Sequence, residues 1–293
     1  MDFSKIRGKL YLNGKYIKFS QAKISVFTHS LHFSGAVFEG IRIYKGKSLF
    51  INDHIERLLN SAKLMHLNII KKKIEIVKIC NKIIKINNLH NGYIRPIIFR
   101  STHSMSPDVK KCHSILCIAG WEWKNLFDKK YIKISVAKLK KINNEIFPVA
   151  AKSAASYQGS IIEKINSHKN GFDDSLFIDS KKYIEETTAC NIFWIKNNII
   201  YTPKIKNVLD GITRRAVIKI CKKKKLKVLV NNYKIEKLFN ADNVFLTGTA
   251  AEIQIVEKIK KKNFSVNSPI LESLIKEYNK IKTSGIKSVK EIH

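Results

Sequence analysis

A chain of 293 residues with 44% hydrophobic side chains, including 15 Phe and 10 Tyr, has the apolar surface to bury a core and falls outside the disordered class. Its length passes the size at which one core stops growing, so two domains are expected. The formal charge of +32, from 55 basic against 23 acidic residues, invites a polyanion partner. The lysines, however, are spread through every segment alongside Ile and Asn, all residues of A/T-rich codons, and no aromatic interleaving marks a platform for bases; no specific nucleic-acid partner is expected.

In chain order, "KLYLNGKYIKF" sets Asn13-Gly14, a type I′ turn signal, between two alternating runs, which predicts a hairpin. A second hairpin follows in "GIRIYKGKSLF". Asp53 reads as the N-cap of a helix carrying Ile55, Leu58, Leu59 and Ala62 on one face. A helix near 73–86 and strands at "YIRPIIF" and "SILCIAG" complete an α+β unit over residues 1–119. The stretch "GWEWKNLFDK", 120–129, breaks the pattern and reads as a linker to a larger domain over 130–293. That domain should open with a strand at 131–139 and a helix ending at "HKNG", where Gly171 can take the left-handed position past the C-cap. Strands at "DSLFID", "CNIFWI" and "NIIYTP", a helix from Thr213 to Lys225, a strand "KVLVN", a short helix, "NVFLTGTAAEIQIV" and a terminal helix near 270–282 follow. The five cysteines lack C-x-x-C spacing and read as reduced thiols of a cytoplasmic protein. No apolar run reaches 18 residues and the start lacks a signal-peptide pattern, so neither membrane insertion nor export is expected. No metal site is expected either.

Within "FPVAAKSAASYQGS", Lys152 is the sole basic residue between Lys141 and Lys164, and small neighbours flank it. An amine whose charged form is disfavoured by desolvation can attack a carbonyl, and small flanks leave room for a planar cofactor such as pyridoxal phosphate. Such a cofactor needs a carboxylate for its ring nitrogen and a cradle for its phosphate. "YIEETTACNIF" offers Glu185 and Glu186, of which strand alternation turns one inward. "LDGITRRAV" brings Gly211, Ile212 and Thr213 to a helix start, where free N–H groups favour an anion. "LTGTAAE", with Gly248 and Thr249 ending an apolar strand, is the other cradle candidate.

The blocks "HSLHFSGAVFEGIRIY", "YIRPIIF", "AAKSAASYQGSIIEKINSHKNGFDDSLFID", "YIEETTACNIF", "LDGITRRAV" and "FLTGTAAEI", in this order, resemble the branched-chain amino-acid aminotransferases of the fold-type-IV pyridoxal-phosphate class. The resemblance implies two α/β domains with pyridoxal 5'-phosphate between them, and a homodimer or higher homo-oligomer. It implies that Lys152 forms the Schiff base and shuttles the proton in a ping-pong exchange between glutamate and the branched 2-oxo acids of leucine, isoleucine and valine. It implies Glu186 at the pyridinium nitrogen, Tyr157 at the phenolic oxygen, and Arg42, Ile212, Thr213 and Thr249 at the phosphate. For the substrates it implies an aromatic wall of Phe33, Phe38 and Trp123, with Tyr93, Thr249 and Ala250 near the α-carboxylate and Arg95 for glutamate's second carboxylate.

Three departures stand out. Phe33 takes a place where many relatives carry tyrosine, the turn Thr187–Cys190 lacks the glycines common there, and the segment after Trp123 matches poorly. D-amino-acid aminotransferases and aminodeoxychorismate lyases share the lysine, glutamate and cradle, but "YIRP" and "GTAAE" read closer to the branched-chain group. The rival from another class is a basic nucleic-acid-binding protein on an enzyme-like scaffold, whose mark would be cations gathered on one face.

Overall fold

The computed structural model describes residues 2–123 and 126–292, and they separate into two compact units. The first comprises Met1–Lys124, Ala151–Ala155 and Gly285–Ser288; the second comprises Asn125–Ala150, Ser156–Ser284 and Val289–His293.

The first unit begins with β1 (Lys9–Leu12) and β2 (Lys15–Lys18), paired with Leu12 opposite Lys15. The two turn residues, Asn13 and Gly14, both have positive φ (41° and 106°), as a two-residue hairpin of right-handed twist requires. After the short helix α1 (His29–Phe33) come β3 (Ala36–Phe38), β4 (Ile41–Tyr44) and β5 (Lys47–Ser48). Two helices follow, α2 (Ile51–Leu64) and α3 (Lys73–Ile86), and then the long strands β6 (Gly92–Arg100) and β7 (Ser114–Glu122). The sheet runs β2-β1-β7-β6-β4-β5, with β3 also on β6. Pro96 sits in the middle of β6, where a missing N–H would ordinarily cost a ladder bond. It falls where the partner changes from β4 to β3, and its carbonyl faces that gap to accept the Glu39 N–H at 2.9 Å. N–H and C=O of one strand residue point to the same side, so the bonds to β7 survive. α3 packs on β1 and β7 and α2 on α3, burying Ile55, Leu58, Ile76 and Ile83 against Ile43, Ile94 and Ile118.

Two expectations change here. Asp53 does not cap α2: the helix begins at Ile51, Phe50 holds the N-cap position in a left-handed conformation (φ 54°), and Asp53 is buried in the first turn. The Phe50 and Asn52 N–H groups donate instead to the carbonyls of Ile286 and Lys287, a segment distant in sequence. In the stretch 120–129, β7 runs on through Glu122, and Lys124 and Asn125 lie outside the described residues.

The second unit opens with β8 (Tyr131–Val136), shorter than expected, and α4 (Gln158–Lys169), which ends with Gly171 at φ 76° and Phe172 N–H reaching back to Ser167. β9 (Asp174–Ile178), β10 (Ile184–Thr187), β11 (Asn191–Lys196) and β12 (Ile199–Pro203) precede α5 (Ile212–Lys223) and β13 (Val228–Asn231). α6 (Ile235–Phe239), β14 (Asn243–Gly248), β15 (Glu252–Ile259), β16 (Lys262–Asn263) and α7 (Pro269–Ser284) complete it. The mixed sheet runs β10-β9-β8-β15-β14-β11-β12-β13, with β16 on β15. Phe193 and Phe245 stack as a cross-strand pair, and Trp194 stacks on Tyr201 with Tyr233 edge-on to both. All five cysteines are free thiols. Among the described residues no helix is long and apolar enough to cross a membrane, and no group of three or more His, Cys, Asp or Glu gathers to hold a metal ion.

Candidate active site

Lys152 lies in a short segment, Ala151–Ala155, that belongs to the first unit although the chain before and after that segment belongs to the second. Ala151 and Ser153, both buried, fasten its backbone: Val37 and Ser153 form an antiparallel bridge, and Ser153 Oγ donates to Ala36 O at 3.1 Å. The Lys152 carbonyl accepts the Phe38 N–H at 3.1 Å, and its own N–H donates to Ser61 Oγ on α2 at 3.0 Å. Small residues let the segment lie this close to β3 and α2; the four-carbon side chain is left to carry Nζ over the Phe38 ring, 5.1 Å from its centroid. The amine thus stands on a backbone tied to both β3 and α2.

Around it the first unit assembles most of the expected wall. The Arg95 guanidinium lies over Phe38 (4.7 Å) and Tyr93 (5.5 Å), and the Tyr93 ring meets Trp123 edge-on at 4.8 Å. Gly40 makes the room for this, since a Cβ there would collide with the Tyr93 hydroxyl. Arg95 Nε is buried and has no hydrogen-bond partner among the described residues. Arg42 is buried opposite Tyr93 on the neighbouring strand, with Nη1 donating to Trp123 O at 3.0 Å and Nε to the Tyr44 hydroxyl at 3.3 Å. Phe33 departs from the set: it is 44% exposed and stacks on His29 at 4.6 Å.

A network that the sequence reading passed over lies on the same helix face as Ser61. Glu39, fully buried, accepts two hydrogen bonds from Arg57 (Nε at 2.6 Å, Nη2 at 2.9 Å) and contacts His54 Nδ1 at 2.7 Å. Burial pushes the Glu39 carboxyl up, but Arg57 and His54 outweigh it and hold it well below the usual carboxylate range. Burial lowers His54 despite the adjacent carboxylate, and the nearby charges of Arg57 and Lys152 add to that lowering. The available signal was the spacing His54, Arg57, Ser61, which repeats at i, i+3 and i+7 along α2.

In the second unit Glu186 is the organised carboxylate. Its Oε1 is ion-paired with Lys141 and accepts the Leu209 N–H at 3.3 Å, while Oε2 accepts from Asn191 Nδ2 at 3.0 Å. Asn191 Nδ2 also donates to Leu209 O at 3.0 Å, and a Cβ at Gly211 would strike Asn191 Oδ1. Gly211 is therefore required for close approach, and it is the N-cap of α5, which carries no side-chain cap and no acid in its first turn. The N–H groups of Ile212 and Thr213 head a 12-residue helix at its positive end. The expectation that one of Glu185 and Glu186 faces inward is corrected: both are buried, because β10 is covered on both faces. Burial raises Glu185 to about 7, with Lys141 opposing, and its Oε2 has no hydrogen-bond partner.

Thr249 and Ala250 form the turn between β14 and β15, half-buried, and Gly248 before them packs on Cys190 Sγ. Tyr157 is half-buried at the start of α4. The two units thus supply, each by itself, an amine on a fixed backbone with an aromatic wall, and an oriented carboxylate beside an anion-receptive helix end.

A family model described as amino-transferase class IV matches residues 36–259. The probable branched-chain-amino-acid aminotransferase of Rickettsia felis is 37% identical over 275 residues, covering 93% of this chain and 95% of that one. Among solved structures, the branched-chain aminotransferase of Thermoproteus uzoniensis with norvaline is similar with a TM-score of 0.92 at 27% identity, covering 97% of both chains. The branched-chain amino acid aminotransferase of Escherichia coli is similar with a TM-score of 0.92 at 28% identity, covering 96% of both chains.

Proposed function

Since the chain belongs to the class IV amino-transferase family, we propose that it exchanges amino groups between glutamate and the branched 2-oxo acids of leucine, isoleucine and valine, using pyridoxal 5'-phosphate. The observation that carries this reading is the Glu186 carboxylate, buried and gripped by Lys141, Asn191 and the Leu209 N–H beside the uncapped start of α5. That donor set fits the group: an acid for a ring nitrogen, and free N–H groups for a phosphate dianion.

When bound, the cofactor supplies a carbonyl that captures amino groups and a ring that accepts the electron pair left at the substrate Cα. Lys152 Nζ is the group that takes the proton from Cα and returns it, and the backbone bonds of Lys152, to Ser61 Oγ and from the Phe38 N–H, fix the arc its side chain can sweep. Glu186 holds the proton on the ring nitrogen, and its neighbours keep the carboxylate in one orientation. Tyr157 donates to the phenolic oxygen. The Ile212 and Thr213 N–H groups and the Thr249 hydroxyl bind the phosphate. Arg42 supplies a cation for that phosphate, and Arg57, one helical turn from Ser61 on α2, supplies a second.

The substrate must be held by one wall in both half-reactions. Phe38 and Trp123 accept an aliphatic side chain, while Tyr93, Thr249 and Ala250 orient the α-carboxylate. Arg95 meets glutamate's distal carboxylate: stacked between two rings, with its Nε unbonded in the fold, it is a cation in search of an anion. Phe33, exposed and stacked on His29, offers no hydroxyl to that carboxylate. The enzyme works in the cytoplasm as a homodimer or higher homo-oligomer, a setting with which five free thiols agree.

Borohydride reduction of protein loaded with pyridoxal 5'-phosphate, followed by peptide mapping, places the adduct on Lys152; an adduct elsewhere, or none, overturns the reading. Assays of 2-oxoglutarate with L-leucine, L-valine and D-alanine give turnover with the first two. Brisk activity on D-alanine alone would move the chain to the D-amino-acid group.

A further inference from the structure

The turn Thr187–Cys190 joins Glu186 to Asn191, and it reaches its shape without a glycine. Two sets of bonds replace the freedom that glycine would bring. Within the turn, Thr187 N–H and Oγ1 both donate to the Cys190 carbonyl (2.8 and 3.2 Å), and the Cys190 N–H donates back to Thr187 Oγ1 at 3.2 Å. From outside, Thr188 Oγ1 donates to Asp174 Oδ1 on β9 at 2.5 Å. Asp174 is itself fixed: it is 1% exposed, the same oxygen accepts the Ser175 N–H at 2.9 Å, and Lys164 Nζ on α4 stands 3.5 Å away.

The turn touches both parts of the second unit's site. Its ends are Glu186 and Asn191, which are bonded to each other, and its tip packs against Gly248, where a Cβ would lie 3.0 Å from Cys190 Sγ and 3.6 Å from the Ala189 carbonyl. Thr249 and Ala250 follow at once. A single hydroxyl–carboxylate bond thus braces the acid and one of the anion-binding turns.

We propose that Asp174 is a positioning residue for transamination: through Thr188 it fixes the Thr187–Cys190 turn, and with it the facing side chains of Glu186 and Asn191. The inference rests on the pyridoxal-phosphate reading above. A hydrogen bond to a buried carboxylate is stronger than one between neutral groups, and its loss removes the tie between the Thr188 side chain and β9. With no glycine in the turn its backbone is the stiffer, and a displacement at Thr188 passes to Glu186.

The test compares wild-type protein with Thr188→Val, which removes the hydroxyl and keeps the shape, Thr188→Ser, which restores it, and Asp174→Asn. Amide hydrogen exchange of residues 187–191 in the unloaded proteins reads the brace itself. Absorbance titration with pyridoxal 5'-phosphate, and kcat and KM for L-leucine, read its consequence. Thr188→Val should speed exchange in the turn, weaken cofactor binding and lower kcat, each by about 10-fold or more, with KM for leucine little changed. Thr188→Ser should stay within about twofold of wild type, and Asp174→Asn, which keeps an acceptor but no charge, should fall between. Faster exchange with unchanged cofactor affinity and kcat overturns the positioning role, and so does unchanged exchange. A variant that fails to fold is replaced in the comparison by Asp174→Asn, whose cofactor affinity must drop for the inference to stand. Wild-type protein that neither takes up pyridoxal 5'-phosphate nor transaminates sinks the functional reading, and the positioning role with it, before any variant is made.

Discussion

Lys152 and Glu185 show how differently single residues announce themselves. Lys152 was legible because composition isolates it: in a lysine-rich chain, one lysine among alanines and serines is an anomaly, and the structure explains the small flanks by the close approach of Ser153 to Ala36 and of the Lys152 backbone to Ser61 and Phe38. Lys152→Ala should lower turnover by about a thousandfold or more, as expected for loss of the proton-transferring group, while the protein still takes up pyridoxal 5'-phosphate without a covalent bond; parallel assays and absorbance titrations check both. The burial of Glu185 beside Glu186 could not be read, because alternation along a strand says nothing about a second covering layer. Its carboxyl, raised by burial to about 7, binds protons more readily folded than unfolded. Stability from the neutral form is therefore full below the ordinary carboxylate range and is lost as pH rises toward 7. Glu185→Gln should raise the unfolding midpoint at pH 8 and change it little at pH 5, which thermal scans at the two pH values will show.

At the level of elements, the hairpins and most helices followed from local chemistry: Asn13-Gly14 made its turn, and Gly171 took the left-handed place after α4. The start of α2 did not, since Asp53 has the composition of a cap while the free N–H groups just upstream are satisfied by Ile286 and Lys287, partners more than 200 positions away that no local pattern can reveal. The cradle at α5 was read as a generic glycine before a helix. Its particular demand, space for the Asn191 amide that binds Glu186, appears only in three dimensions. Gly211→Ala meets no conformational objection at φ −66° but drives a methyl into Asn191. It should cost about 1–3 kcal/mol of stability through overpacking and weaken cofactor binding, measured by urea titration and by absorbance; a stable Gly211→Ala protein with wild-type affinity would remove Asn191 from the account.

For the molecule as a whole, acid is the sharpest probe of what holds the first unit together. Both Glu39 and His54 bind protons less readily in the fold than in the unfolded chain. Stability is therefore complete above the ordinary imidazole value of about 6.5, declines below it as the unfolded chain gains a proton at His54, and declines further below about 4 as Glu39 follows. Glu185 acts in the opposite sense over the same window, so the midpoint of Glu185→Gln should fall between pH 7 and pH 5, and His54→Gln added to it should flatten that slope. The family and the two-unit plan were legible because their signals are ordered blocks along the chain, whereas the Glu39 network and the membership of Lys152 in the first unit depend on which segments return to which sheet. That return has a consequence for how the protein is made. A ribosome delivers residues 151–155 well after the first sheet could have formed, and residues 285–288 later still. The first unit is thus closed only after residues 156–284 of the second have been made, and until then the nascent chain holds the backbone of Phe50 and Asn52 without its acceptors, an interval in which shelter by a chaperone matters most.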